Sequence, residues 1–200
     1  MRLKSSLSLA IHLARNNLSD LDIFLQTPYL NFANLQDHLA EVVSKWENVD
    51  DEIWGKLIIF ERNRRVAKAY ARSAVLTING SDAGFNGLNI GVNGFENPRR
   101  DREVQDCKAA IGAGCKLKMT ENGDILIKRI GKGKVFIQNI LEEAAVSNDI
   151  LKLYSGLLEP DIAMKLFDMK KFKQNMNREL KRQAADRAKL EKQVAFLFGI

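Results

Sequence analysis

Residues 54–139 are divided into short apolar runs, each closed by Gly or Asn and interrupted by a single helical stretch around Val104 to Ile111. Runs this short cannot build long helices. Val, Ile, Leu and Phe between turn residues are the pattern of strands packed into a common core. The expected strands are 53–61, 66–71, 74–78, 115–120, 124–130 and 134–139, with Asn79-Gly80, Asn122-Gly123 and Gly131-Lys132-Gly133 as turns. Asp101 is placed to cap a helix whose Val104, Cys107 and Ile111 share one face, and Gly112 follows as its terminator.

The flanks read differently. Leu3, Leu7, Ile11, Ala14 and Leu18 recur at helical steps, as do Phe32, Leu35, Leu39, Val42, Val43 and Trp46, so residues 1–50 are expected to form an N-terminal helical extension. Arg2, Lys4, Arg15 and several serines without an acid also give the opening the look of a presequence, but an ordinary amphipathic helix is the commoner source of that spacing. After Pro160, residues 163–167 suggest one more strand, and Asp168 a cap on a long C-terminal helix. With 46% hydrophobic residues in 200, the chain can bury one sizeable core, and the division expected is 1–50 and 51–200.

Catalysis has little to stand on. His12 and His38 precede the β-rich stretch, and Asp82, Asp101, Asp106 and Asp124 show no paired spacing for acid–base work. Cys107 and Cys115 have no metal-ligand spacing and read as reduced thiols, so no metal or cofactor is expected. The glycines at 84, 87, 91 and 94 do not follow the dinucleotide-loop spacing and open no helix. No run approaches the ~20 apolar residues that span a bilayer. Charge is uneven, with 5 basic and 9 acidic side chains before Arg62 but 26 and 16 from there on. The basic residues gather at Lys116, Lys118, Lys128, Lys132 and Lys134, and again along residues 165–192.

Seven segments in register then resemble the second Mad-homology domain, the C-terminal interaction domain of the Smad proteins. Trp54, Leu57, Phe60 and Glu61 fall on its W-x-x-I-x-Y-Y-E pattern, and Arg65, Val66 and Tyr70 on its R-V-G-x-x-F. Thr77-Ile-Asn-Gly80 resembles its T-V-D-G turn, Leu88-Asn-Ile-Gly91 its F-C-L-G, and Ala110-Ile-Gly-Ala-Gly-Cys-Lys-Leu117 its H-I-G-x-G-V-x-L. Lys134-Val-Phe-Ile-Gln-Asn139 is similar to A-I-F-V-Q-S, and Met164-Lys-Leu-Phe-Asp168 to L-K-I-F-N. The wording of residues 79–87 and 94–98 resembles the Expansion-type proteins, which carry this domain without the Smad DNA-binding half.

The resemblance implies a mainly β fold with α, a β-sandwich of the Smad and forkhead-associated type with an internal helix and a long C-terminal helix. It implies no enzymatic activity. The expected function is a protein–protein interaction module, a scaffold or transcriptional co-regulator of TGF-beta-type signalling in cytoplasm or nucleus, with protein partners that include other Smad-type domains. The candidate contact residues are Asn79, Asp82, Phe85, Asn93, Phe95, Asn97, Arg99 and Arg100. Asn79 and Gly87 stand where the family keeps an Asp–Arg pair that supports trimer contacts, and Ile200 falls near where its phosphoserine-gripping loop begins. A homo-oligomer is still compatible with the sequence, but the first difference argues against Smad-type trimerisation through that pair, and the second removes the strongest argument for phosphate capture. An alternative is phosphopeptide capture by Lys116, Lys118, Lys128 and Arg129. A weaker one is nucleic-acid binding by the basic helix, against which Glu179, Asp186 and Glu191 are interleaved.

Overall fold

The computed structural model describes residues 7–17, 20–26, 52–62, 64–138, 147–153, 155–175, 177–178 and 181–182, the first two segments as backbone. Its strands are β1 (Leu7–Asn17), β2 (Asp20–Gln26), β3 (Gly55–Glu61), β4 (Arg64–Ala71), β5 (Val75–Asn79), β6 (Gly84–Phe85), β7 (Asn89–Gly91), β8 (Cys115–Met119), β9 (Ile125–Arg129), β10 (Lys134–Gln138) and β11 (Ala163–Phe167). Two helices have defined ends, α1 (Arg102–Ala110) and α2 (Asn148–Leu151). Two sheets result, one of five strands in the order β10-β2-β1-β3-β4 and one of six in the order β11-β9-β8-β5-β7-β6.

Alternation explains the core between them. Leu76 and Ile78 of β5, Cys115 and Leu117 of β8, Ile125 and Ile127 of β9, and Val135 and Ile137 of β10 are buried at every second position. They meet Leu57 and Ile59 of β3 in one cluster. Trp54, at the entry to β3, is buried too, and its indole N–H donates to the Ser73 carbonyl at 2.9 Å. Strand β3 is buried along its whole length, because its second face carries Ile58 and Phe60 as a separate apolar pair. That is the character of a central strand, and its neighbours are β1 and β4.

The helix ends as its sequence dictates. The Asp101 carboxylate accepts from the Val104 amide at 2.9 Å, and Gly112 follows the last turn at φ +56°, a conformation that an L side chain resists. Asp168 likewise accepts from the Lys171 amide at 2.9 Å, opening the helical stretch from residue 169.

Three expectations change. The helix expected of the opening residues is not what forms: residues 7–17 and 20–26 are the antiparallel pair β1 and β2, with β1 parallel to β3 and β2 parallel to β10. The same residues satisfy two periods: Leu7, Leu9, Ile11 and Leu13 alternate as cleanly as Leu7, Ile11 and Ala14 step helically. Pairing to β3 favours the period of two. The helix expected at 34–45 lies outside the described residues. Second, Gly131-Lys132-Gly133 is not a hairpin, because β10 leaves β9 and joins the other sheet beside β2. Third, the glycine-rich stretch after Gly80 holds two short strands, β6 and β7, at the edge of the six-stranded sheet.

Candidate interaction surface

Glu61 is the last residue of β3 and its carboxylate is 1% exposed, a position that requires partners. Four donors reach it from two other segments. Lys108 Nζ, wholly buried on the inner face of α1, lies 2.9 Å from Oε1, and Arg100 Nη2 lies 2.8 Å from the same oxygen. Arg100 Nε adds bonds of 3.1 Å to both oxygens, and Asn97 Nδ2 donates to Oε2 at 2.5 Å. The Phe95 carbonyl accepts from Arg100 Nη2 and, at 3.3 Å, from Lys108 Nζ. Burial alone would raise the Glu61 pKa, but the bonds from Arg100, Asn97 and Lys108 outweigh it and hold the carboxyl below its usual 4.5. Burial pulls the Lys108 ammonium below its usual 10.5 against the attraction of Glu61. A carboxyl held below 4.5 is charged at neutral pH.

The consequence is mechanical. One carboxylate ties the end of β3 to loop 92–100 and to α1. Arg62, at the β3–β4 corner with φ +51°, adds an exposed tie to the start of α1 through Asp101 at 2.5 Å and Glu103 at 2.6 Å. Next to this frame, Asn93 Nδ2 donates to the Gly80 carbonyl at 2.5 Å, and the Asn93 amide to Ser81 O at 3.1 Å. Asn79 Oδ1 accepts from the Ser81 amide at 3.1 Å, a side-chain turn of the Asx kind.

Beyond the frame, β6 and β7 meet in a turn organised by Asn86, whose Oδ1 accepts from the amides of Leu88 and Asn89 at 3.1 and 2.8 Å. Phe85 and Leu88 flank that turn, 39% and 59% exposed. Asp82 and Arg99 are exposed as well. This edge presents a Phe and a Leu to water beside a loop fixed by a buried charge network.

A scan against protein families matches residues 52–198 to the MH2 domain. The chain belongs to the MH2 domain family. No curated protein matches it closely. MH2 domains are Smad-type protein-interaction modules with a β-sandwich fold, and they are not a catalytic family. No helix among the described residues is long and apolar enough to cross a membrane.

In this MH2 domain the sequence-selected contact residues fall into two groups. Asn79, Asn93, Asn97 and Arg100 turn their polar groups inward to the backbone or to Glu61, and Phe95 packs against the core. Asp82, Phe85 and Arg99 face solvent. The phosphate set also divides. Lys116, Lys118 and Lys128 share the outer face of the six-stranded sheet, whereas Arg129 is in register with buried Cys115 on the opposite face and donates to Leu158 O and Lys132 O, both at 3.0 Å. Arg129 therefore does not join the lysines. Sequence reasoning missed Lys108 and Leu88 as members of the site. Lys108 stands on the same helical face as Val104, Cys107 and Ile111, and a lysine on an apolar face signals a buried partner.

Proposed function

We propose that this MH2 domain works as a non-catalytic scaffold or co-regulator in signalling or transcription, in cytoplasm or nucleus, and binds its protein partner through the loop-and-helix end. The observation that carries the reading is the pairing of an ordered base with an apolar tip: the Glu61 network fixes loop 92–100, and Phe85 and Leu88 project beside it. Exposed aromatic and aliphatic anchors on a rigid frame lose little entropy on binding, which is how such residues come to dominate interfaces. Asp82 and Arg99 supply a polar rim of both signs, suited to orienting a partner rather than to holding it. Other Smad-type domains are the first partners to test. The Asp–Arg pair is replaced by Asn79 and Gly87, which favours partnering of a different kind from the Smad trimer.

The test is photocrosslinking in cells with a benzophenone amino acid at Phe85 or Leu88, and at Glu121 on the distant β8–β9 turn as control. Discrete protein adducts at Phe85 and Leu88 that disappear when Arg99 and the unlabelled one of the pair become Asp support the reading. Equal adducts at Glu121 contradict it.

A further inference from the structure

The outer face of the six-stranded sheet carries an arrangement that folding alone does not favour. Lys116 of β8 stands directly opposite Lys128 of β9, and Lys118 follows two residues along, opposite Leu126 and Val75. Like charges in register across two strands repel. Lys116 and Lys118 are exposed, and among the described residues neither has an acidic partner. Lys128 has only the highly exposed Asp161, at 3.2 Å, and the next lysine along, Lys165, is already held by Asp124 at 2.8 Å and Asp168 at 3.5 Å. Between the charges the floor is apolar or neutral, with Val75 40% exposed beside Thr77.

We propose that this face docks an extended acidic segment of a partner protein, with carboxylates on alternate residues lying across Lys116, Lys118 and Lys128. The spacing selects that occupant. Lys116 and Lys118 are about 7 Å apart along the strand, the distance between side chains two apart in any extended peptide, so a strand-like segment matches them charge for charge. A single phosphate is a compact dianion best held by a forked arginine or converging amides, and Arg129 faces away from this surface. Nucleic acid binds such surfaces with aromatic side chains for its bases, and the one aromatic residue in register across β5, β8, β9 and β11, Phe167, is buried in the core beside Ile125 rather than on this outer face. The apolar floor at Val75 takes the side chains between the acids. This face is separate from the Phe85–Leu88 tip, so either reading can fail while the other stands.

The experiment is fluorescence anisotropy of the full chain with a labelled ten-residue peptide of alternating Glu and Thr. Saturable binding at 50 mM salt that weakens steeply by 200 mM is expected, because exposed pairs are screened. The variant K116Q/K118Q/K128Q is expected to bind at least about tenfold more weakly, the combined effect of three exposed pairs, with an unchanged melting curve. The variant K116E/K118E is expected to lose the acidic peptide and gain one of alternating Lys and Thr. The proposal is overturned if the acidic peptide does not bind, if the glutamine variant binds it equally, if a neutral peptide with one phosphoserine binds more tightly, or if a single-stranded oligonucleotide of equal charge binds as well.

Discussion

Replacing Glu61 with Ala removes the carboxylate that pairs with Lys108, whose side chain has no exposure. At 2.9 Å, with an effective dielectric constant of about 20, the Glu61–Lys108 attraction is on the order of 6 kcal/mol, much of it offset by the cost of burying both ions. What the substitution exposes is that burial cost. Among the described residues Lys108 keeps one hydrogen bond, to the Phe95 carbonyl at 3.3 Å, and the weaker pull of Asp82, while Arg100, at 17% side-chain exposure, can turn toward water. Stranding one partner of a buried pair costs about 3–5 kcal/mol, and that is the loss expected for Glu61→Ala. Lys108→Met should cost less, about 1–3 kcal/mol, because Glu61 keeps Arg100 and Asn97. The double variant Glu61→Ala/Lys108→Met should be more stable than Glu61→Ala alone, since it no longer strands a buried ammonium. Urea unfolding of the four proteins gives the coupling energy directly. Strictly additive losses, or a Glu61→Ala cost below about 1 kcal/mol, would refute the reasoning.

The other predictions concern separate parts of the molecule. The Glu61 pKa is lowered in the folded state, so its contribution is complete above the unfolded value near 4.5 and is lost as pH falls through the lower folded value. The acid limb of stability against pH should therefore be shallower in Glu61→Gln, and identical limbs would count against the network. Gly112→Ala should cost about 1 kcal/mol in thermal or urea unfolding, for its φ of +56° alone, since nothing lies within 4 Å of an added Cβ; Gly112→Asn should cost less. Leu117→Ala should cost about 2–5 kcal/mol, while Lys116→Gln next to it, on the other face of β8, should stay within about 0.5 kcal/mol. Cys115 is fully buried and its thiol is pushed up to about 12, so iodoacetamide at pH 8 should modify it only as fast as the protein opens.

Much of this fold is legible in the sequence, for identifiable reasons. The strand at 163–167, the Asp101 and Asp168 caps and the Gly112 terminator depend on neighbours within a few residues, and local chemistry decides them. The opening hairpin was misread because its leucines fit two periods, and only the parallel pairing to β3 separates them. Strands β6 and β7, of two and three residues, are too short to show a period. The Glu61–Lys108 bond joins residues 47 apart, a distance that no spacing rule reaches, although both ends left traces in the motif and on the helix face. Arg129 was a different kind of miss. Lys128 and Arg129 are consecutive in a strand, so alternation alone places them on opposite faces.

These cases share a pattern: polar side chains in the loops, such as Asn97 and Arg100, hold the loops in place, and the residues facing water include the apolar Phe85 and Leu88 beside Asp82 and Arg99. Ordering of loop 92–100 by Glu61 is therefore the central claim. Amide hydrogen exchange of wild type and Glu61→Gln tests it most directly. The Asn93 and Arg100 amides, bonded to Ser81 O and Asn97 O, should exchange at least about tenfold faster in the variant while those of Ile125–Arg129 are unchanged. Equal protection of Asn93 and Arg100 in the two proteins would contradict the account.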